Sequence, residues 1–226
     1  MVNDQMVNDI MRKSILFMAA LCCVTMAHAV VTYGIKFGEV EVTSKNMDDI
    51  FGDGKASFDA QHNTLVLQEG FSYSLSKGIV TIDTKYEPFV IRLEGNAQIK
   101  ASVRSYNQVR IVSNGAYTLG ITSNISGSAL CCPSLYIGEQ TTLKVLSRNS
   151  QKEMYALECI GTLTIESGSL LAEVTTAEVA VRAGDLVLNG VECIKPKGCI
   201  REPETGNLCF GDGTPAKIIR IVPKED

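Results

Sequence analysis

The chain of 226 residues carries 21 Lys and Arg against 25 Asp and Glu, a net charge of −4, with 45% hydrophobic residues and no Trp. That length suits one domain with a packed core. A mildly acidic chain without a basic run lacks the charge footprint of a nucleic-acid binder, and no polybasic membrane patch is visible.

The N-terminus reads as an address. Met11-Arg12-Lys13 is a basic start, Ser14 to Met26 is an apolar stretch too short to span a bilayer comfortably, and Ala27-His28-Ala29 is a small-x-small cleavage site. Residues 1–29 are therefore expected to be a leader and signal peptide, and the protein to be exported to the periplasm, the cell surface or the medium. Asp4 and Asp9 precede the basic start unfavourably, which makes Met11 a candidate initiator. Cys22 and Cys23 follow Leu21 and Cys22 rather than a small residue, so no lipid anchor is expected. After cleavage, no membrane insertion is expected.

Residues 30–87 read as a hairpin and capping region. Tyr33 to Phe37 and Glu39 to Thr43 alternate at period two around Gly38, Ala56 to Asp59 and Thr64 to Leu67 flank a polar turn, and Ile79 to Ile82 is a further strand. Asn46 to Gly54 is a polar loop, with Asn46 to Ile50 long enough for a helical turn.

Residues 88–200 hold a repeat. The triplets Ile91-Arg92-Leu93, Val109-Arg110-Ile111, Leu135-Tyr136-Ile137, Leu163-Thr164-Ile165 and Leu186-Val187-Leu188 alternate in, out, in, at spacings of 18, 26, 28 and 23 residues. Each is followed by a second alternating run: Ile99-Lys100-Ala101, Tyr117-Thr118-Leu119, Leu143-Lys144-Val145, Leu170-Leu171-Ala172 and Val191-Glu192-Cys193. One supersecondary unit per period of this size marks a solenoid. The expected fold is all-β, a single-stranded right-handed parallel β-helix of about five rungs. Leu135, Leu163 and Leu186 would share one interior column, and Ile137, Ile165 and Leu188 a second. An antiparallel sandwich is the alternative. Residues 201–226, rich in Gly and Pro before the strand Ala216 to Ile221, read as the C-terminal cap that an open rung requires.

Tyr33-Gly34-Ile35, Val42-Thr43-Ser44-x-Asn46-x-x-Asp49, Gly52-Asp53-Gly54-x-x-Ser57-x-Asp59 and Asn63-Thr64-Leu65-x-Leu67, with the ending Gly211-Asp212-Gly213-x-Pro215-Ala216-Lys217, resemble secreted bacterial proteins labelled carbohydrate-binding domain-containing. The resemblance spans nearly all of the chain after residue 29. It implies a right-handed parallel β-helix, an extracellular or cell-surface setting and affinity for acidic polysaccharide, sometimes with calcium. Members often carry Asp-rich or Asn-rich turns in their rungs. Here Pro88 to Ile200 holds a single Asp, Asp185, so calcium-dependent sugar binding is not expected.

The remaining chemistry is sparse. Asp48, Asp49, Asp53 and Asp59 are the densest carboxylates, but their spacing is not that of an EF-hand loop, and Asp beside Gly is ordinary turn chemistry. The outward rung positions supply no two acids on neighbouring rungs, as a glycosidase pair would need. His62 has no Ser or Cys partner by motif. No catalytic residue, cofactor or metal site is expected. Arg92, Arg110, Tyr136 and Lys144 form the candidate ligand stripe: an aromatic face for a sugar ring, with cations for a uronate or sulfate. The expected function is a non-catalytic polysaccharide-binding module, with a structural or adhesive surface protein and a degenerate lyase or hydrolase as alternatives. Six cysteines follow the leader. Cys132 and Cys159, nearly one repeat apart, and Cys199 and Cys209, in the cap, are the disulfide candidates among 15 connectivities.

Overall fold

The computed structural model describes residues 29–125, 127–148 and 154–225; the leader expected over 1–29 lies, apart from Ala29, outside them. Residues Thr32–Asp226 form one unit. Every regular element described is a strand, and the strands stack as a parallel β-solenoid of about five turns.

Two antiparallel pairs begin the unit. β1 (Thr32–Phe37) and β2 (Val40–Thr43) join through Gly38, whose φ of 58° suits a residue without a Cβ. β3 (Ala56–Asp59) pairs with β4 (Thr64–Gln68). Between the two pairs the chain makes turns and no helix. Asp49 organises this loop: its carboxylate accepts backbone N–H bonds from Gly52 at 2.9 Å, Asp53 at 3.1 Å and Gly54 at 3.0 Å. The acidic group is thus a turn device, with its oxygens engaged by the loop's own backbone.

The coils begin earlier than the boundary at residue 88 suggests. β4 already stacks in parallel on β6 (Phe89–Glu94), and the bent β5 (Phe71–Ile82) stacks on β7 (Ala97–Ser105). The first coil therefore lies inside the stretch read as hairpins. Its middle strand, Phe71 to Ser74, was not anticipated.

Each coil visits three faces. The first face carries β4, β6, β8 (Val109–Ser113), then, after β9 (Tyr117–Ser123) and β10 (Leu130–Cys132), β11 (Leu135–Ile137). It continues, after β12 (Thr141–Ser147), with the second half of β13 (Leu157–Glu166) and, after β14 (Ser169–Val174), the second half of β15 (Val181–Asn189). The second face carries the first halves of β5 and β7, then β9, β12 and β14. The third carries the remaining halves and β10.

The interior columns run as the repeat predicts. Leu135, Leu163 and Leu186 are successive ladder partners, as are Ile137, Ile165 and Leu188. Leu163 and Ile165 are fully buried, whereas Leu186 and Leu188 in the last coil are only partly covered. Parallel strands about 4.8 Å apart bring each apolar side chain against its equivalents above and below, and a fully buried Leu or Ile contributes about 1.5–3 kcal/mol. Some polar groups inside pair across coils: Ser102 Oγ lies 2.7 Å from Ser123 Oγ, whereas Ser147 Oγ is buried without a hydrogen-bond partner. At one corner Asn63 donates to the Tyr86 and Pro88 carbonyls, and Asn107 to that of Thr84, tying successive coils together.

The end is closed by β16 (Val191–Lys195), the two-residue strands β17 (Ile200–Arg201) and β18 (Leu208–Cys209), which pair with each other, and β19 (Ile218–Pro223). β19 runs antiparallel between β14 and β16 on the second face. It covers the edge that the last coil would otherwise expose.

Candidate functional site

The stripe of Arg92, Arg110, Tyr136 and Lys144 does not assemble. Register decides the first departure. The strand opposite Val109-Arg110-Ile111 is Phe89-Val90-Ile91, so Val90 stacks on Arg110 and Arg92 falls opposite Val112. Arg92 is also engaged: its Nε lies 3.1 Å and its Nη2 3.0 Å from Glu94 Oε1, while Glu94 Oε2 accepts from Gln68 at 2.7 Å. Lys144 departs for a different reason. The corner after Ile137 carries β12 onto the second face, where Lys144 sits between Gly120 and Leu171. The outward residues of the second alternating runs are out of line as well. Lys100 pairs with Ser74, and Thr118 with Thr142, so neither aligns with Lys144.

Arg110 and Tyr136 do come together. They are direct ladder partners on the first face, followed by Thr164 and Val187. The Arg110 guanidinium carbon stands 4.4 Å above the centre of the Tyr136 ring, inside the range of a cation–π contact. The Tyr136 hydroxyl donates to Glu166 Oε2 at 2.8 Å. Donation to that carboxylate, with partial burial and the nearby negative charge, raises the phenol pKa above its ordinary value. Around the pair lies a groove of about 540 Å³ lined by Gln108, Arg110, Ser134, Tyr136, Thr162 and Thr164. Among the described residues Arg110 has no carboxylate within 4.0 Å. Stacking on the ring therefore holds the guanidinium in place without consuming its in-plane N–H donors. It also covers one face of the tyrosine, so Tyr136 is not the open sugar platform that the sequence suggests. Glu166 and Gln108 were not anticipated; a carboxylate ending one strand and an amide opening another carry no signal of meeting across coils.

The cysteines form two groups of three. Cys132 and Cys159 are direct partners on adjacent coils, facing the interior. In the cap, Ile200 and not Cys199 lies opposite Cys209, and the Cys193 thiol donates to the Pro196 carbonyl at 3.2 Å within the turn that leads to Cys199. The expected pairing of Cys199 with Cys209 gives way to Cys193 because the turn Ile194 to Gly198 folds back, with Gly198 N–H donating to the Cys193 carbonyl at 3.1 Å. All six carry free thiols. Donation to the partner sulfur and burial push Cys132 and Cys199 well above the ordinary thiol range. His62 meets Asp59, its Nδ1 at 2.7 Å from Oδ2, on an exposed turn. Among the described residues no three His, Cys, Asp or Glu side chains converge as a metal site, and no helix is long and apolar enough to cross a membrane.

Comparison of the chain with protein-family models, with curated proteins and with solved structures found no match.

Proposed function

We propose that the protein is an exported, non-catalytic polysaccharide-binding module that holds a uronate-containing chain in the first-face groove. The observation carrying this reading is the Arg110–Tyr136 pair. A guanidinium fixed by stacking, with donors free and no acid partner, offers a forked contact to a sugar carboxylate. The Tyr136 oxygen, already donating to Glu166, remains an acceptor for a sugar hydroxyl. Thr162, Thr164, Ser134 and Gln108 add neutral hydrogen-bonding groups along the groove. Because the pair is ordered by contacts within the protein, little side-chain entropy is lost on binding. The leader-like N-terminus and the resemblance to carbohydrate-binding solenoids support the same reading.

Affinity electrophoresis through gels containing polygalacturonate, alginate or neutral glucan tests it. The wild-type chain should be retarded by a uronate polymer and released by salt, since exposed charges are screened within about 8 Å at physiological ionic strength. Arg110→Ala should abolish most of the retardation. Absence of retardation by every uronate polymer, or retardation indifferent to Arg110→Ala, would refute the reading.

A further inference from the structure

The second face holds a placement that neither the fold nor the groove on the first face explains. Across β12, β14, β19 and β16 the outward ladder partners are Lys144, Leu171, Arg220 and Lys195. Arg220 and Lys195 are directly opposed on neighbouring strands, about 5 Å apart at the backbone. Like charges so opposed destabilise a sheet. The placement depends on a bulge: Cys193 pairs with Ile221, and the register then shifts so that Lys195, not Ile194, faces Arg220. A regular ladder would set Ile194 opposite Arg220 and separate the charges. Instead Ile194 is left 40% exposed. Bulges re-aim side chains and recur beside functional sites.

Among the described residues no ion pair relieves this contact. Among the described residues neither Arg220, Lys195 nor Lys144 has a carboxylate within 4.0 Å. Glu173 lines the same groove, and Glu192 stands opposite Val222, one row away from the three cations. The groove measures about 500 Å³ and has Leu171, Ile218 and Val222 among its apolar walls. Lys144 lies about 9.5 Å from Arg220 along the row, two strand spacings, within reach of a long flexible side chain.

We propose that Arg220, Lys195 and Lys144 form a second binding site, for the sulfate ester of a sulfated polysaccharide. A tetrahedral oxyanion has enough oxygens to accept from a guanidinium fork and an ammonium at once, which turns the repulsion between Arg220 and Lys195 into a shared contact. The row runs across the strands, along the axis of the coil stack, and Lys144 extends it beyond the first group, which suits a chain more than an isolated ion. The site stands apart from the first-face groove and does not depend on it.

Titration of the full chain with dextran sulfate, against unsulfated dextran, tests the proposal. Dextran sulfate should bind and dextran should not. The double variant Arg220→Gln, Lys195→Gln should weaken binding at least tenfold, whereas Arg104→Gln, which removes an exposed cation of the third face outside both grooves, should change it less than twofold. Both substituted side chains are exposed, and relieving their repulsion should leave the melting temperature of the free protein equal or higher; a merely structural pair would lower it. Absence of binding, binding indifferent to the double variant, or a loss equalled by Arg104→Gln would overturn the proposal. Sodium sulfate that displaced dextran sulfate at an equal or lower concentration of sulfate groups, at constant ionic strength, would assign the site to a free ion. Stronger binding to vesicles containing anionic phospholipid would assign it to a lipid headgroup. Either result would overturn the polysaccharide assignment.

Discussion

Leu163→Ala against Leu186→Ala measures how much the stack itself stabilises the protein. Leu163 is fully buried and has a leucine partner on each side, Leu135 and Leu186. Truncation removes three carbons and leaves a cavity that the two neighbouring coils cannot close without shifting their own registers. Core Leu→Ala substitutions cost about 2–5 kcal/mol, rising with the cavity that remains, and this position belongs in the upper half of that range. Leu186 performs the same role in the last coil but is only partly covered, so its truncation should cost about 1–2 kcal/mol, closer to the transfer of the removed atoms alone. Urea unfolding followed by circular dichroism gives both values, provided the slopes of the transitions agree. Equal losses at the two positions, or a loss below about 1 kcal/mol at Leu163, would refute column stacking as the source of stability.

Four other outcomes are expected. Tyr136→Phe should keep the Arg110 stack and lose only the hydroxyl contact, so uronate retardation should fall less than with Tyr136→Ala; equal losses would show that the ring does not position Arg110. Asp49→Ala should lower stability by about 1 kcal/mol through the loss of three exposed loop hydrogen bonds, whose donors turn to water, while calcium or chelator should not move the melting temperature of the wild type; a calcium-dependent shift would contradict the turn role. Asp59 has its pKa lowered from the ordinary 3.8 chiefly by the hydrogen bond from His62. Its small stabilisation should therefore be complete above that value and lost as pH falls through the depressed one, less than about 1 kcal/mol at so exposed a site; an Asp59→Asn variant with an unchanged acid limb would remove the effect. In native alkylation followed by mass spectrometry, half-exposed Cys131 should label well before buried Cys132 and Cys159, and oxidation by glutathione disulfide should join Cys193 to Cys199 rather than Cys199 to Cys209.

The local pattern carried the architecture and lost the register. Leucines and isoleucines at 135, 137, 163 and 165 could be assigned to columns because each triplet is bounded by turn residues. β6 is different: Phe89 to Glu94 alternates over six residues, so Phe89-Val90-Ile91 and Ile91-Arg92-Leu93 are equally good triplets. Period two cannot distinguish registers that differ by two residues. The choice is made by neighbours, with Val109 under Phe89 and Leu67 over Leu93, and it moved Arg92 out of the row. Lys144 was assigned by alternation alone, which says that a side chain points outward but not from which face. Arg220 and Lys195 were beyond reach for another reason. Their meeting depends on a strand returning antiparallel across some 25 residues of cap and on a bulge, and neither leaves a trace in local periodicity.

The last strand also sets which coil depends on which. In a solenoid of parallel coils each coil rests on the one before. β16 cannot follow that rule, because among the described strands it is laddered to β19 alone. Without β19, the ladder that holds Lys144 beside Leu171 would remain, but nothing would seat β16. Only when Ile218 to Pro223 slides between β14 and β16 do the neighbouring edges close and Arg220 arrive beside Lys195. The pairing that seals the stack is thus also the one that puts the dense positive end on the second face, so anion binding there would require the closed cap.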